Sequence, residues 1–271
     1  MAIDTEKARQ KYTERYNNYK TQIDVILQRE KNLLQLMEKD SSGIEYKRLA
    51  LAEDMLNLSS LYLLVHNLSV SILGTKSDDS LNEARKTLYK SIIYLEEIVT
   101  NYVDVPFTDY EKNLEAIASV PEAKRYQLIK KLGLAIRLVM DAYGENTKWK
   151  WTFVELEGRF AIVAKNIMDL RAIAKDGLDP HSPDYEISVY HLRLVKHLLQ
   201  QGADRYREKY ELSTKRIDDF RMAIQFLLAL RRIHLVLNER EEAEETKKKA
   251  EIWKEKMEKD NKSLEAQQKK R

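Results

Sequence analysis

The chain has 271 residues, 34% of them charged and 43% hydrophobic, with 47 lysines and arginines against 44 acidic residues for a net charge of +3. It contains no cysteine, which excludes disulfides, thiolate catalysis and cysteine-ligated metals. Only seven glycines and four prolines stand against helix formation, so the composition predicts an all-α fold with a very polar surface and its apolar residues in narrow stripes.

A first helix reads over residues 4–37. Its seam is Tyr12, Tyr16, Tyr19, Ile23, Ile26, Glu30, Leu33 and Met37, in alternating steps of four and three, with Glu30 the single polar interruption. Heptad spacing of this kind predicts nearly parallel, coiled-coil-like packing against a partner helix. After turn residues Asp40 to Gly43, a second helix over 44–73 carries Leu51, Met55, Leu58, Tyr62, Val65, Ser69 and Ile72 on one seam and Leu49, Leu56, Leu63 and Leu64 off it. Apolar on more than one side, it reads as the central helix of a bundle, closed by Gly74. Thirty residues make a rod of roughly 45 Å, which predicts an elongated molecule.

Ser77 to Asp79 start a third helix with Leu81, Ala84, Leu88, Ile92, Leu95 and Val99 on its core face, running to about Tyr102. Residues 103–107, with Pro106, break it. A short helix capped by Thr108 ends near Ser119, and Pro121 opens one that closes at Gly144. Asn146 or Thr147 caps the next, over 148–175, ended by Gly177 and Pro180; Ser182-Pro183-Asp184 then starts a helix reaching about Gln201. From Ala203 onward the chain has neither proline nor glycine.

Near the C-terminus, Leu227-Leu228-Ala229-Leu230 precedes Val236-Leu237-Asn238-Glu239-Arg240-Glu241-Glu242-Ala243, followed by Ala250 and Trp253. Residues 224–257 thereby resemble a tetratricopeptide-type helical hairpin, in which a small residue ends the first helix and an alanine follows twelve positions later. Asn238 and Ala250 keep that separation, with asparagine where the family usually has glycine. Beyond Met257 only Leu264 extends the thin seam of Ala243, Ala250 and Trp253, so the polar end is expected to fray unless a partner covers it.

The expected architecture is an elongated antiparallel helical bundle or short α-solenoid of seven to nine helices. It divides into a long-helix bundle over 1–102, a helical region over 103–257 and a polar tail over 258–271. Charge is uneven: residues 1–120 carry −4, residues 121–240 carry +6 and residues 241–271 carry +1. That middle surplus falls short of the concentrated footprint of a dedicated nucleic-acid binder. The first residues hold no apolar signal core, which points to the cytoplasm, with the periplasm as the alternative if an export signal preceded them. No membrane span is expected, because the runs 61–73 and 222–237 are interrupted by His66, Asn67 and Ser69 and by Arg231 and Arg232.

Motifs for chemistry are missing. Neither Glu-x-x-His nor His-Glu-x-x-His occurs, and there is no glycine-rich phosphate loop and no Gly-x-Ser-x-Gly. His191 and His197 fall on opposite faces of one helix, while His66 and His234 read as core histidines. No enzyme activity, metal or cofactor is expected. Two features stand out as candidate partner-binding residues. Lys148, Trp149, Lys150 and Trp151 place aromatic area and charge at a helix start, with Trp149 and Phe153 reading as the head of a core stripe. Arg231 and Arg232 interrupt an apolar helix, where they must reach water or carboxylates. The sequence therefore predicts a non-catalytic scaffold or adaptor binding other proteins, itself included, in a larger assembly such as bacterial structural or motility machinery. A nucleic-acid-associated protein using the basic middle region is the alternative.

Overall fold

The computed structural model describes residues 5–145, 147–176 and 179–268. Its α-helices, in chain order, are α1 (Thr5–Lys39), α2 (Ile44–Leu73), α3 (Asp78–Glu96), α4 (Glu111–Glu115), α5 (Glu122–Tyr143), α6 (Lys150–Asn166), α7 (Leu170–Asp176), α8 (Tyr185–Lys209), α9 (Ile217–Val236) and α10 (Arg240–Gln268). A 3-10 turn at Phe107–Asp109 precedes α4 and a π turn at Tyr210–Thr214 follows α8. The described residues contain no strand, and the fold is an all-α helical bundle. The cap expected at Asn146, the stop at Gly177, the side chain of Leu264 and tail residues 269–271 lie outside what is described.

The chain divides into two compact units, one of residues 1–100, 113–120 and 127–147, the other of residues 101–112, 121–126 and 148–271. In the first, α1 packs on α2 and α2 on α3. Ser59 donates to the carbonyl of Ala84 at 3.1 Å and Ser91 to that of Ala52 at 2.9 Å, so numbers rise on α3 as they fall on α2 and the pair is antiparallel. Leu51, Met55 and Leu58 are fully buried with Leu81, Leu88 and Ile92, as a central α2 requires. By length and composition α2 is also long and apolar enough to cross a membrane, a property it shares with core helices. Glu30, the break in the α1 seam, is buried: Lys90 Nζ stands 2.9 Å from its carboxylate and Tyr94 donates to it at 2.8 Å. The third helix stops at Glu96 rather than near Tyr102, because the side-chain amide of Asn113 takes the carbonyl of Val99 that a further turn would have used.

In the second unit α6, α7 and α9 pack on α8, and α10 packs on α9. Two expectations are corrected here. The helix predicted over 148–175 is two helices: His191 Nε2 lies 3.0 Å from the Ala164 carbonyl at the end of α6, and Asp169 Oδ1 accepts the Ala172 amide at 3.0 Å to start α7. That split brings the described residues to ten α-helices, above the seven to nine expected. The helix predicted to end near Gln201 runs on to Lys209, with Gly202 inside it. There glycine is a close-approach residue, since a Cβ on it would meet the Phe226 ring at 3.0 Å.

Candidate functional site

The start of α6 carries the aromatic and basic cluster. Trp149 and Trp151 are half-buried, and each has the preceding lysine over its ring: Lys148 Nζ is 5.4 Å from the centroid of Trp149 and Lys150 Nζ 4.8 Å from that of Trp151. Lys150 also lies 3.6 Å from Glu208 on α8. Phe153, Leu156 and Phe160 are buried, so the stripe that Trp149 heads is core as the spacing predicts.

Arg231 and Arg232 are half-buried on α9. The Arg231 Nε is buried without a hydrogen-bond acceptor among the described residues. Arg232 Nε bonds Asp104 Oδ1 at 2.8 Å, which brings residues 101–106 against α9. The two predicted clusters do not form one site. Arg232 meets α6 at Lys165, fifteen residues and roughly 22 Å along the axis from Lys150.

Where they meet, Lys165, Arg232, Tyr110, Phe107, Leu170 and Ile233 line a cavity of about 10 Å³. That is the room needed by one water-sized occupant, far below the volume of a metabolite site. Lys165 is 5% exposed, and its ammonium lies 5.2 Å from the centroid of the Tyr110 ring. Burial pushes its pKa down to about 8, with Asp104 opposing the shift and Arg232 adding to it. Burial also raises the Tyr110 hydroxyl well above its ordinary value, helped by the charge of Asp169. Sequence reasoning passed over Lys165, although a lone lysine in the run Phe160-Ala161-Ile162-Val163-Ala164-Lys165 is itself a signal.

The histidines sit in satisfied positions. His191 is fully buried, with Nδ1 2.7 Å from Glu122 Oε1, while His197 is exposed on the opposite face. His66 accepts the Ser77 amide at 3.3 Å, and His234 Nδ1 is 2.6 Å from Glu239 Oε2. Among the described residues no group of three or more histidines, aspartates and glutamates is placed to hold a metal ion.

The chain belongs to the TP0443 family, whose model matches residues 8–261. The tetratricopeptide resemblance of residues 224–257 has no family match of its own. No curated protein and no solved structure matches the chain.

Proposed function

We propose, with membership of the TP0443 family as the premise, that the chain is a non-catalytic helical scaffold or adaptor that binds another protein through the start of α6. The observation that carries this reading is the pair of half-exposed tryptophans at residues 149 and 151, each held beneath a lysine. Tryptophan supplies large, rigid contact area at little entropic cost, and such residues anchor protein interfaces. The α9–α10 hairpin adds support for a tetratricopeptide-type reading of the C-terminal helices. Asn238 takes φ +58°, the left-handed geometry a glycine would supply there, and Ala243 and Ala250 are buried small residues. The nucleic-acid alternative has less behind it. Lys196 pairs with Glu239, Arg205 with Glu157, Arg207 with Glu211 and Lys209 with Asp219, so many cations of the basic region are already engaged.

The test is capture of partners from native cells on the immobilised full-length chain, with Trp151→Ala alongside. The expected outcome is one or more proteins held by the wild type and lost at least tenfold by the variant, at an unchanged melting temperature. Equal capture by both, or retention on DNA that weakens steeply with salt, overturns the reading.

A further inference from the structure

We propose that the outward face of α5 over residues 130–138 is a docking surface for an acidic amphipathic helix of a partner protein. The helix has two faces of different character. Leu128, Ile129, Leu132, Ile136 and Val139 are buried and form its core stripe. Over residues 128–141 the exposed positions are Lys130, Lys131, Leu134, Arg137, Leu138 and Asp141. At about 100° per residue they fall in one band on the side of the helix away from the core. Leu134 and Leu138 run along the middle of that band, 59% and 45% exposed, with Lys130 and Arg137 along one edge and Lys131 along the other.

The charge of the band says what covers it. Three cations stand against one carboxylate, and Lys131 and Arg137 have no hydrogen-bond or ion-pair partner among the described residues. Leucines four apart on one face are the anchors through which one helix meets another. Carboxylates on both flanks of a partner's apolar stripe would then face the cations, as flanking charges do in paired helices. Two features favour a helix over an anionic membrane. The apolar strip is two leucines long, roughly 6 Å along the axis, well short of the broad apolar face that an interfacial helix buries. Asp141 continues the same band, where a lysine of a partner helix can match it and a lipid phosphate only repels it. This surface belongs to the first unit and the start of α6 to the second, so one chain would hold two partners, one on each unit.

The test is fluorescence anisotropy of a labelled helical peptide of about 18 residues, with leucines three and four apart and glutamates on both flanks, titrated with the full-length chain. The same peptide with lysines for glutamates, and vesicles of phosphatidylglycerol, are the comparisons. The expected result is saturable binding of the acidic peptide, weakened by added salt, and none of the lysine peptide or the vesicles. Lys131→Glu combined with Arg137→Glu should weaken binding roughly tenfold or more, and Leu134→Asn should weaken it as well, at an unchanged Tm because all three positions are exposed. Trp151→Ala should bind the peptide as the wild type does, which separates this surface from the start of α6. Absence of acidic-peptide binding, an affinity unchanged in the α5 variants or lost in Trp151→Ala, or binding to the vesicles instead, overturns the proposal.

Discussion

At residue 158 a methyl group would sit 2.6 Å from Cε2 of Tyr206. Tyr206 has nowhere to go, because it is 6% exposed and its ring stacks on Phe226 at 5.6 Å. Gly158→Ala is therefore expected to destabilise the protein by about 1–3 kcal/mol, although alanine favours a helix by about 1 kcal/mol over glycine. Circular dichroism melts of the two proteins check this, and an unchanged or higher Tm for the alanine variant would contradict it. The sequence reading took glycines as joints, which fits Gly43, Gly74 and Gly144 with their positive φ. It could not identify Gly158 or Gly202 as contact points, since which ring faces a glycine is decided by α8 and α9, not by neighbours in the chain. Lys165 is similar. Its oddness is local, but the meaning comes from Asp104 and Arg232, each more than sixty residues away.

Among the elements, α1 and α2 were the most legible, because heptad spacing is a local pattern and their antiparallel partners follow after short turns. The polar break at Glu30 was visible, but not its partners on α3. Removing the carboxylate strands the Tyr94 hydroxyl, which is itself buried, whereas Lys90 is about half exposed and can turn to water. Glu30→Ala should cost about 1–3 kcal/mol, and Glu30→Gln, which keeps an acceptor for Tyr94, clearly less. Urea midpoints rank the two, and equal losses would show that the hydrogen bond from Tyr94 contributes little. The division between α6 and α7 was missed for a different reason. Apolar periodicity continues across Ile167 and Met168, and only Asp169 followed by Leu170-Arg171-Ala172 marks a new start.

For the molecule as a whole, buried tyrosines and one buried lysine set opposite pH trends. Tyr94 and Tyr110 are raised by burial, and Tyr210 is pushed up to about 12 by burial together with Asp260. Unfolded tyrosines release their protons near pH 10, while the folded ones hold them, so this part of the stability is full below about pH 10 and is lost above it. Lys165 has the other sign. Folded it titrates at about 8, unfolded at about 10.4, so the unfolded chain holds more protons between those values and stability rises with pH there. Urea midpoints from pH 7 to 11 should rise above pH 8 and fall above pH 10. Lys165→Met should abolish the rise and keep the fall; a rise that persists in the variant assigns it to another group. The all-α class was readable from composition because few residues interrupt helices. How residues 101–147 alternate between the two units was not, since that depends on contacts distant along the chain.

α10 is seated by few side chains. Ala243, Ala250 and Trp253 are buried, Arg207 and Lys249 lie over the indole at 4.8 and 4.9 Å, and Asp260 accepts the Tyr210 hydroxyl at 2.8 Å. Most of the helix's other side chains point outward and carry little of its seating. Outward charges of α10 other than Lys249 and Lys256, which pair with Asp204 and Glu211, can be exchanged without disturbing these anchors.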